Sequence, residues 1–103
     1  MAKSVAQQVA DAALATAGVT GLHGGLFGEV ATYLPGERVR GVRLDDDHGE
    51  VHIVVDVTSD LRAVAADVRD AAERITGYPV QVAIQDVSTG PQAVGPAERS
   101  TDE

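Results

Sequence analysis

Residues 51–87, VHIVVDVTSDLRAVAADVRDAAERITGYPVQVAIQDV, predict a strand, a helix and a second strand in direct succession. Apolar residues alternate with others at 51–57 and again from residue 80, which is the period of a β-strand. From residue 61 to 75 they recur every three or four positions, and Gly77 follows where a left-handed helix cap belongs. A crossover of this kind returns the second strand parallel to the first.

The N-terminal segment predicts another helix, over about residues 4–17. Ser4 and Gln7 have the spacing of a capping box, and Gly18 follows the last apolar residue of the pattern. Polar side chains interrupt the segment too often for the apolar core of a secretory signal. We therefore interpret it as a structural helix.

The region between the two helices predicts further strands. VTGLHGGL, residues 19–26, fits a short irregular strand, and we favour a short helix for FGEVATYL, residues 27–34, which stops before Pro35. Alternation with period two runs over residues 39–45, and the polar DDDHGE at 45–50 then makes a hairpin to the next strand.

These elements predict an α+β fold. We expect a two-layer sandwich with two main helices on one face of a small mixed β-sheet, in the order α-β-β-β-α-β. One domain would span residues 1–87. Residues 88–103, rich in small and polar side chains, would be a disordered acidic tail.

Composition disfavours several classes of function. The formal net charge is −8 and the chain contains no cysteine, so we expect no nucleic-acid binding and no thiolate chemistry. Nor is there an apolar run near the roughly 20 residues of a membrane span, and we expect no direct membrane insertion.

The glycine-rich stretch at residues 21–28 invites a phosphate-binding interpretation. Its glycines have the spacing G-x-x-G-G-x-x-G, without the lysine of a nucleotide P-loop and after a helix rather than a strand. We interpret Gly21, Gly24, Gly25 and Gly28 as backbone turn glycines. The alternative is a small ligand-binding or catalytic α+β protein that uses the Gly21–Gly28 loop with His23.

No other motif predicts chemistry. The acidic run from Asp45 lacks the glycine and glutamate positions of an EF-hand loop. His48 and His52 could lie on one side of a strand, but His23 lies in another segment and no cysteine supplies a companion ligand. No serine lies in a nucleophile elbow. We therefore assign no catalytic residue, cofactor or metal ligand and expect a protein that is not an enzyme.

An interaction surface is the remaining candidate site. Arg38, Arg40 and Arg43 form the basic cluster of an acidic chain and could meet an acidic partner or a second copy, or could protect a strand edge. The exposed sheet face would add polar side chains and one β-branched residue. The predicted surface is Arg38, Arg40, Arg43, Glu50, His52, Val54 and Asp56.

Three segments in this order resemble the alkaline shock protein family of Gram-positive bacteria, also described as general stress or envelope stress response proteins. They are GVTGLHGG at 18–25, VATYLPGERVRGVRL at 30–44 and VAADVRDAAERITGYPVQVAIQDV at 64–87. Residues 30–36 are similar to the actinobacterial branch in particular. His23 departs from the family, where a serine is common.

The resemblance implies a cytoplasmic, non-enzymatic protein that serves envelope homeostasis under stress. It implies self-association and attachment to the inner face of the plasma membrane through a small membrane-anchored partner. It adds no catalytic residues.

Overall fold

The computed structural model describes residues 3–25 and 27–88, which form two helices and six strands. In chain order these are α1 (Val5–Ala15), β1 (Val19–Leu22), β2 (Ala31–Leu34), β3 (Glu37–Arg40), β4 (Val42–Leu44), β5 (Gly49–Asp56), α2 (Leu61–Thr76) and β6 (Val80–Ser88). The predicted tail lies outside the described residues, except that Ser88 is the last residue of β6.

β5 is the central strand of the main sheet. β6 pairs with it in parallel from Gly49 to Asp56, which confirms the predicted crossover pairing. β4 and β1 pair antiparallel with successive lengths of β5, at residues 49–51 and 53–55, so they share its other edge. β2 and β3 form a separate antiparallel hairpin.

The core lies between one face of this sheet and the two helices. Val51, Ile53 and Val55 of β5 have no solvent exposure, and the alternate residues of β5 are half-buried on the other face. The helices contribute mostly alanine and valine, and small side chains allow them to approach the sheet closely. This arrangement confirms the predicted α+β class and the helix-on-sheet layers.

α1 begins at the predicted cap, Ser4, and the N-cap of α2 is Asp60. The Ser4 hydroxyl accepts the Gln7 N–H at 3.1 Å, and the Asp60 carboxylate accepts two N–H groups in the first turn of α2. Gly77 ends α2 with φ +78°, in the left-handed conformation that was predicted. α1 is shorter than predicted because its backbone becomes extended at Thr16.

The short helix predicted at residues 27–34 is wrong. Residues 31–34 are β2, which pairs with β3 around a turn at Pro35 and Gly36. A helix of this length has a costly nucleus and few hydrogen bonds to offset it, whereas the hairpin satisfies the same backbone groups across strands. The hairpin is the element that the predicted order lacked.

The single strand predicted over residues 39–45 is broken at Gly41. Its φ is +84°, so the chain turns there instead of continuing the alternation. Val39 and Val42 are both buried while Arg40 is exposed. Arg40 and Val42 therefore do not share a face, contrary to the alternation read from the sequence.

Candidate interaction surface

Several backbone N–H groups of the glycine-rich loop are bonded within the loop. Gly25 N–H donates to His23 Nδ1 at 2.9 Å, and Phe27 N–H donates to the Glu29 carboxylate at 2.9 Å. Val30 N–H donates to the Gly24 carbonyl at 2.9 Å, which closes the loop. These backbone N–H groups are therefore not available to donate hydrogen bonds to a phosphate.

The Glu29 carboxylate binds backbone N–H groups of the loop, as a bound anion would. The backbone N–H groups of Glu29 itself and of Phe27 hold the pKa of this carboxyl below its usual value. A Cβ on Gly25 would collide with the same carboxylate. A phosphate would have to displace Glu29, which weighs against the ligand-binding alternative.

The four predicted turn glycines have different roles. Gly25 and Gly28 have positive φ, at +85° and +72°, as turns require. Gly24 is buried beneath Arg40, whose Cγ lies 2.9 Å from where a Cβ on Gly24 would be. Gly21 is not in a turn but lies in β1 opposite Val54, at a local shift in register.

The loop supports two of the three predicted arginines. Arg40 lies across Gly24, and Arg38 Nη2 lies 3.4 Å from the position of a Cβ on Gly28. Both side chains are exposed, and within residues 3–25 and 27–88 neither forms an ion pair. In a chain of net charge −8, these two unpaired cations form a local region of opposite charge.

Two aromatic side chains flank these arginines. Phe27 is 92% exposed at the loop tip and Tyr33 is 68% exposed on β2. Tyr33 lies opposite Arg38 in the hairpin, and the Arg38 guanidinium is 5.9 Å from the centre of its ring, within cation–π range. We call Phe27, Tyr33, Arg38 and Arg40 the Phe27 patch.

Sequence reasoning found the arginines of this patch but missed both aromatics. Their signal was available: two of the three aromatic residues lie within seven positions of each other, beside glycines and proline. An aromatic residue in a chain with so few of them is normally expected in the core. Here the aliphatic core is complete without them.

Arg43 belongs to a different surface. Its Nη2 donates to Glu50 Oε2 at 2.7 Å, while Glu50 Oε1 lies 3.0 Å from His52 Nε2. His52 Nδ1 lies 2.9 Å from the amide nitrogen of Gln85, which fits an imidazole that accepts at Nδ1 and donates at Nε2. Hydrogen bonds from His52 and then Arg43 hold the pKa of Glu50 below its usual value.

The predicted surface is therefore divided in two. Arg38 and Arg40 lie in the Phe27 patch, whereas the other five residues lie on the outer face of β4 and β5. Asp56 on that face accepts hydrogen bonds from the backbone and hydroxyl of Thr58, and Val54 is half-buried. Because this network satisfies its own polar groups, and His52 has only 13% of its side chain exposed, it offers less to a partner than the Phe27 patch.

The remaining histidine lies in the acidic hairpin loop. His48 contacts Asp47 at 2.8 Å and Asp45 at 2.9 Å. The hydrogen bond to Asp47 raises the pKa of His48 above its usual value. Throughout the described part of the chain, no three His, Cys, Asp or Glu side chains converge as a metal site would require.

Comparison of the chain with protein-family models, curated proteins and solved structures found no match. The resemblance to the alkaline shock proteins therefore rests on the three sequence segments quoted above. Neither described helix is long and apolar enough to cross a membrane.

Proposed function

We propose that this protein is a non-catalytic adaptor that works by binding other proteins through the Phe27 patch. The observation that carries the proposal is that two highly exposed aromatic rings lie beside two arginines on one loop and hairpin, and that these arginines form no ion pair within the described residues. Tyrosine and arginine are enriched among the residues that dominate binding energy at protein interfaces.

The patch has the features of a preorganised binding surface. Arg38 is held beside both Tyr33 and Gly28, and Arg40 is packed on Gly24, so less side-chain freedom is lost on binding. Phe27 projects from the loop and could fill an apolar pocket. Its partner would therefore have an acidic surface around an apolar cavity.

We further propose the setting that the sequence resemblance implies. The protein would be a self-associating scaffold in envelope homeostasis and the envelope stress response, at the cytoplasmic face of the plasma membrane. A small membrane-anchored protein would hold it there through the Phe27 patch. The order and spacing of the three resembling segments support this setting.

Partner capture in the native host tests the proposal. We would express tagged wild-type protein and the variants Phe27→Ser and Arg38→Glu, crosslink cells, and identify proteins recovered from the membrane fraction. Leu14→Ser is the matched control, because Leu14 is a large apolar residue 48% exposed on α1, outside the patch.

We expect to recover a small single-span membrane protein with the wild type and with the control. Each patch variant should reduce the amount of that protein recovered at least tenfold, as expected for an interface hot spot. Equal recovery with all four proteins would contradict the role of the patch. Recovery of no membrane protein with the wild type would contradict the membrane setting.

A further inference from the structure

β6 has a free edge. Within the described residues it pairs with β5 alone. Gly49 N–H donates to the Pro79 carbonyl, and alternate residues of a parallel strand turn both backbone groups to the same side. Val80, Val82 and Ile84 therefore direct their N–H and C=O groups away from β5.

Side chains cover the two ends of this edge but not its centre. Glu73 Oε2 accepts the Val80 N–H at 2.9 Å, and Asp86 Oδ1 accepts the Val87 N–H at 2.8 Å. Within the described residues, Val82 and Ile84 have no such cover on the free edge. Uncovered backbone groups on an edge strand are a template for pairing with another strand.

A groove of about 620 Å³ runs along this edge beside α2. Arg62, Ala65, Ala66 and Arg69 of α2 line one wall and β6 residues 80–83 line the other, while Glu50 and His52 of β5 complete the lining. The two alanines leave room at the centre of the wall. The groove therefore leaves the centre of the β6 edge accessible to a second strand.

We infer that β6 pairs antiparallel with β6 of a second copy, about a two-fold axis at Val82. Val82 would exchange two hydrogen bonds with the partner's Val82. Ile84 N–H would donate to the partner's Val80 carbonyl, and reciprocally, while Glu73 keeps its bond to the Val80 N–H. This inference rests on the proposed scaffold function and names the surface by which the scaffold self-associates.

Charge favours a second copy over an unrelated peptide. Glu73 lies level with Val80 through their hydrogen bond. The helix rises about 16 Å from Arg62 to Glu73, and β6 about 13 Å from Val80 to Ile84, so Arg62 lies near the level of Ile84. Antiparallel pairing about Val82 then places Arg62 opposite the partner's Glu73, at both ends of the interface.

The alternative occupants fit less well. An acidic peptide would satisfy Arg62 but meet like charge at Glu50 and Glu73, and a basic peptide would do the reverse. Arg62 forms no ion pair within the described residues, so it is available for the partner's Glu73. Self-complementarity of this kind is what a two-fold interface requires.

A charge-swap experiment tests this interface. We would measure molar mass by sedimentation equilibrium across concentrations for the wild type, Arg62→Glu, Glu73→Arg and the double variant. Arg74→Glu is the matched control, with the same charge change at an exposed position of α2 outside the groove. Thermal unfolding of each variant checks that Glu73→Arg, which loses the Val80 contact, remains folded.

We expect the wild type and the control to pass from 10.6 kDa to twice that mass as concentration rises. Each single variant places like charges together at both ends of the interface and should weaken association about tenfold, and the double variant should restore it. In the wild type, amide hydrogen exchange at Val82 and Ile84 should slow with dimerisation. A merely structural role for Arg62 or Glu73 predicts no restoration.

A chain that remains at 10.6 kDa at all concentrations would overturn the inference. So would a dimer that forms equally well in every variant and leaves the two amides unprotected. A monomer that still captures a partner through the Phe27 patch would contradict the β6 interface but support the adaptor role. A dimer without patch-dependent capture would support the β6 interface and contradict the adaptor role.

Discussion

Replacement of Gly41 by alanine tests how the Phe27 patch is positioned. Gly41 separates β3 from β4, so it lies between the arginine-bearing hairpin and the main sheet. Its N–H donates to the Val30 carbonyl and its carbonyl accepts the His52 N–H. The residue therefore connects the loop, the hairpin and the central strand.

The expected loss of stability has two parts. A side chain at φ +84° costs roughly 1–2 kcal/mol of backbone strain. The new Cβ would lie 2.8 Å from the Leu22 Cβ, and 3.3 and 3.4 Å from backbone atoms of His23 and His52. Such overpacking costs typically about 1–3 kcal/mol, so we expect Gly41→Ala to lower the free energy of unfolding by about 2–5 kcal/mol.

Gly36→Ala separates these two contributions. Gly36 has a similar φ of +74°, but a Cβ there would have no atom within 4 Å. Its cost should be the strain alone, roughly 1–2 kcal/mol. Urea unfolding of the wild type and both variants, followed by circular dichroism, gives the three free energies. Equal losses for the two variants would refute the packing argument at Gly41.

Three further outcomes can be measured on the same protein. Asp60→Ala removes the N-cap of α2 and should cost about 1 kcal/mol of stability, whereas Asp67→Ala at an exposed position of the same helix should cost much less; urea unfolding compares them, and equal losses would contradict the capping role. Glu50 has a lowered folded-state pKa, so its ionised form adds stability, at most about 1 kcal/mol, that is present above pH 4.5 and lost as the pH falls through the folded pKa. Urea unfolding should therefore give the wild type a higher free energy of unfolding than Glu50→Gln near pH 6, and the two values should converge in acid. A difference that stays constant with pH would contradict this. Titration with nucleotides should leave the amide resonances of Gly24 and Gly25 in place, because the Glu29 carboxylate already occupies N–H donors of the loop; saturable shifts there would favour the ligand-binding alternative.

Local signals in the sequence predicted much of the fold. The cap residue Ser4 and the left-handed Gly77 act within one helical turn, and the structure confirms both. The valine alternation of β5 also sufficed to predict its buried face. These features depend on neighbours that lie close in the chain.

The missed features depend on contacts between distant residues. Gly24 is required because Arg40 lies over it, sixteen positions later, and no local pattern shows that contact. Residues 31–34 are a strand because β3 pairs with them. The exposure of Phe27 and Tyr33 could not be read from residue type, since both would suit a core equally well.

The free edge of β6 was open to prediction only in part. The crossover predicted that β6 would neighbour β5, but not which edge of β6 would remain free. The carboxylates that cover Val80 and Val87 come from side chains whose directions follow from the folded backbone. The sequence therefore predicted the strand without predicting its uncovered centre.

Site-specific photocrosslinking tests the central claim most directly. A photoreactive phenylalanine analogue, placed at Phe27 in one strain and at Leu14 in another, would be activated in cells of the native host. Because both positions are exposed and apolar, they differ mainly in their distance from the patch. We predict one discrete partner adduct from position 27 and none from position 14. Adducts of equal yield at both positions, or none at position 27, would contradict it.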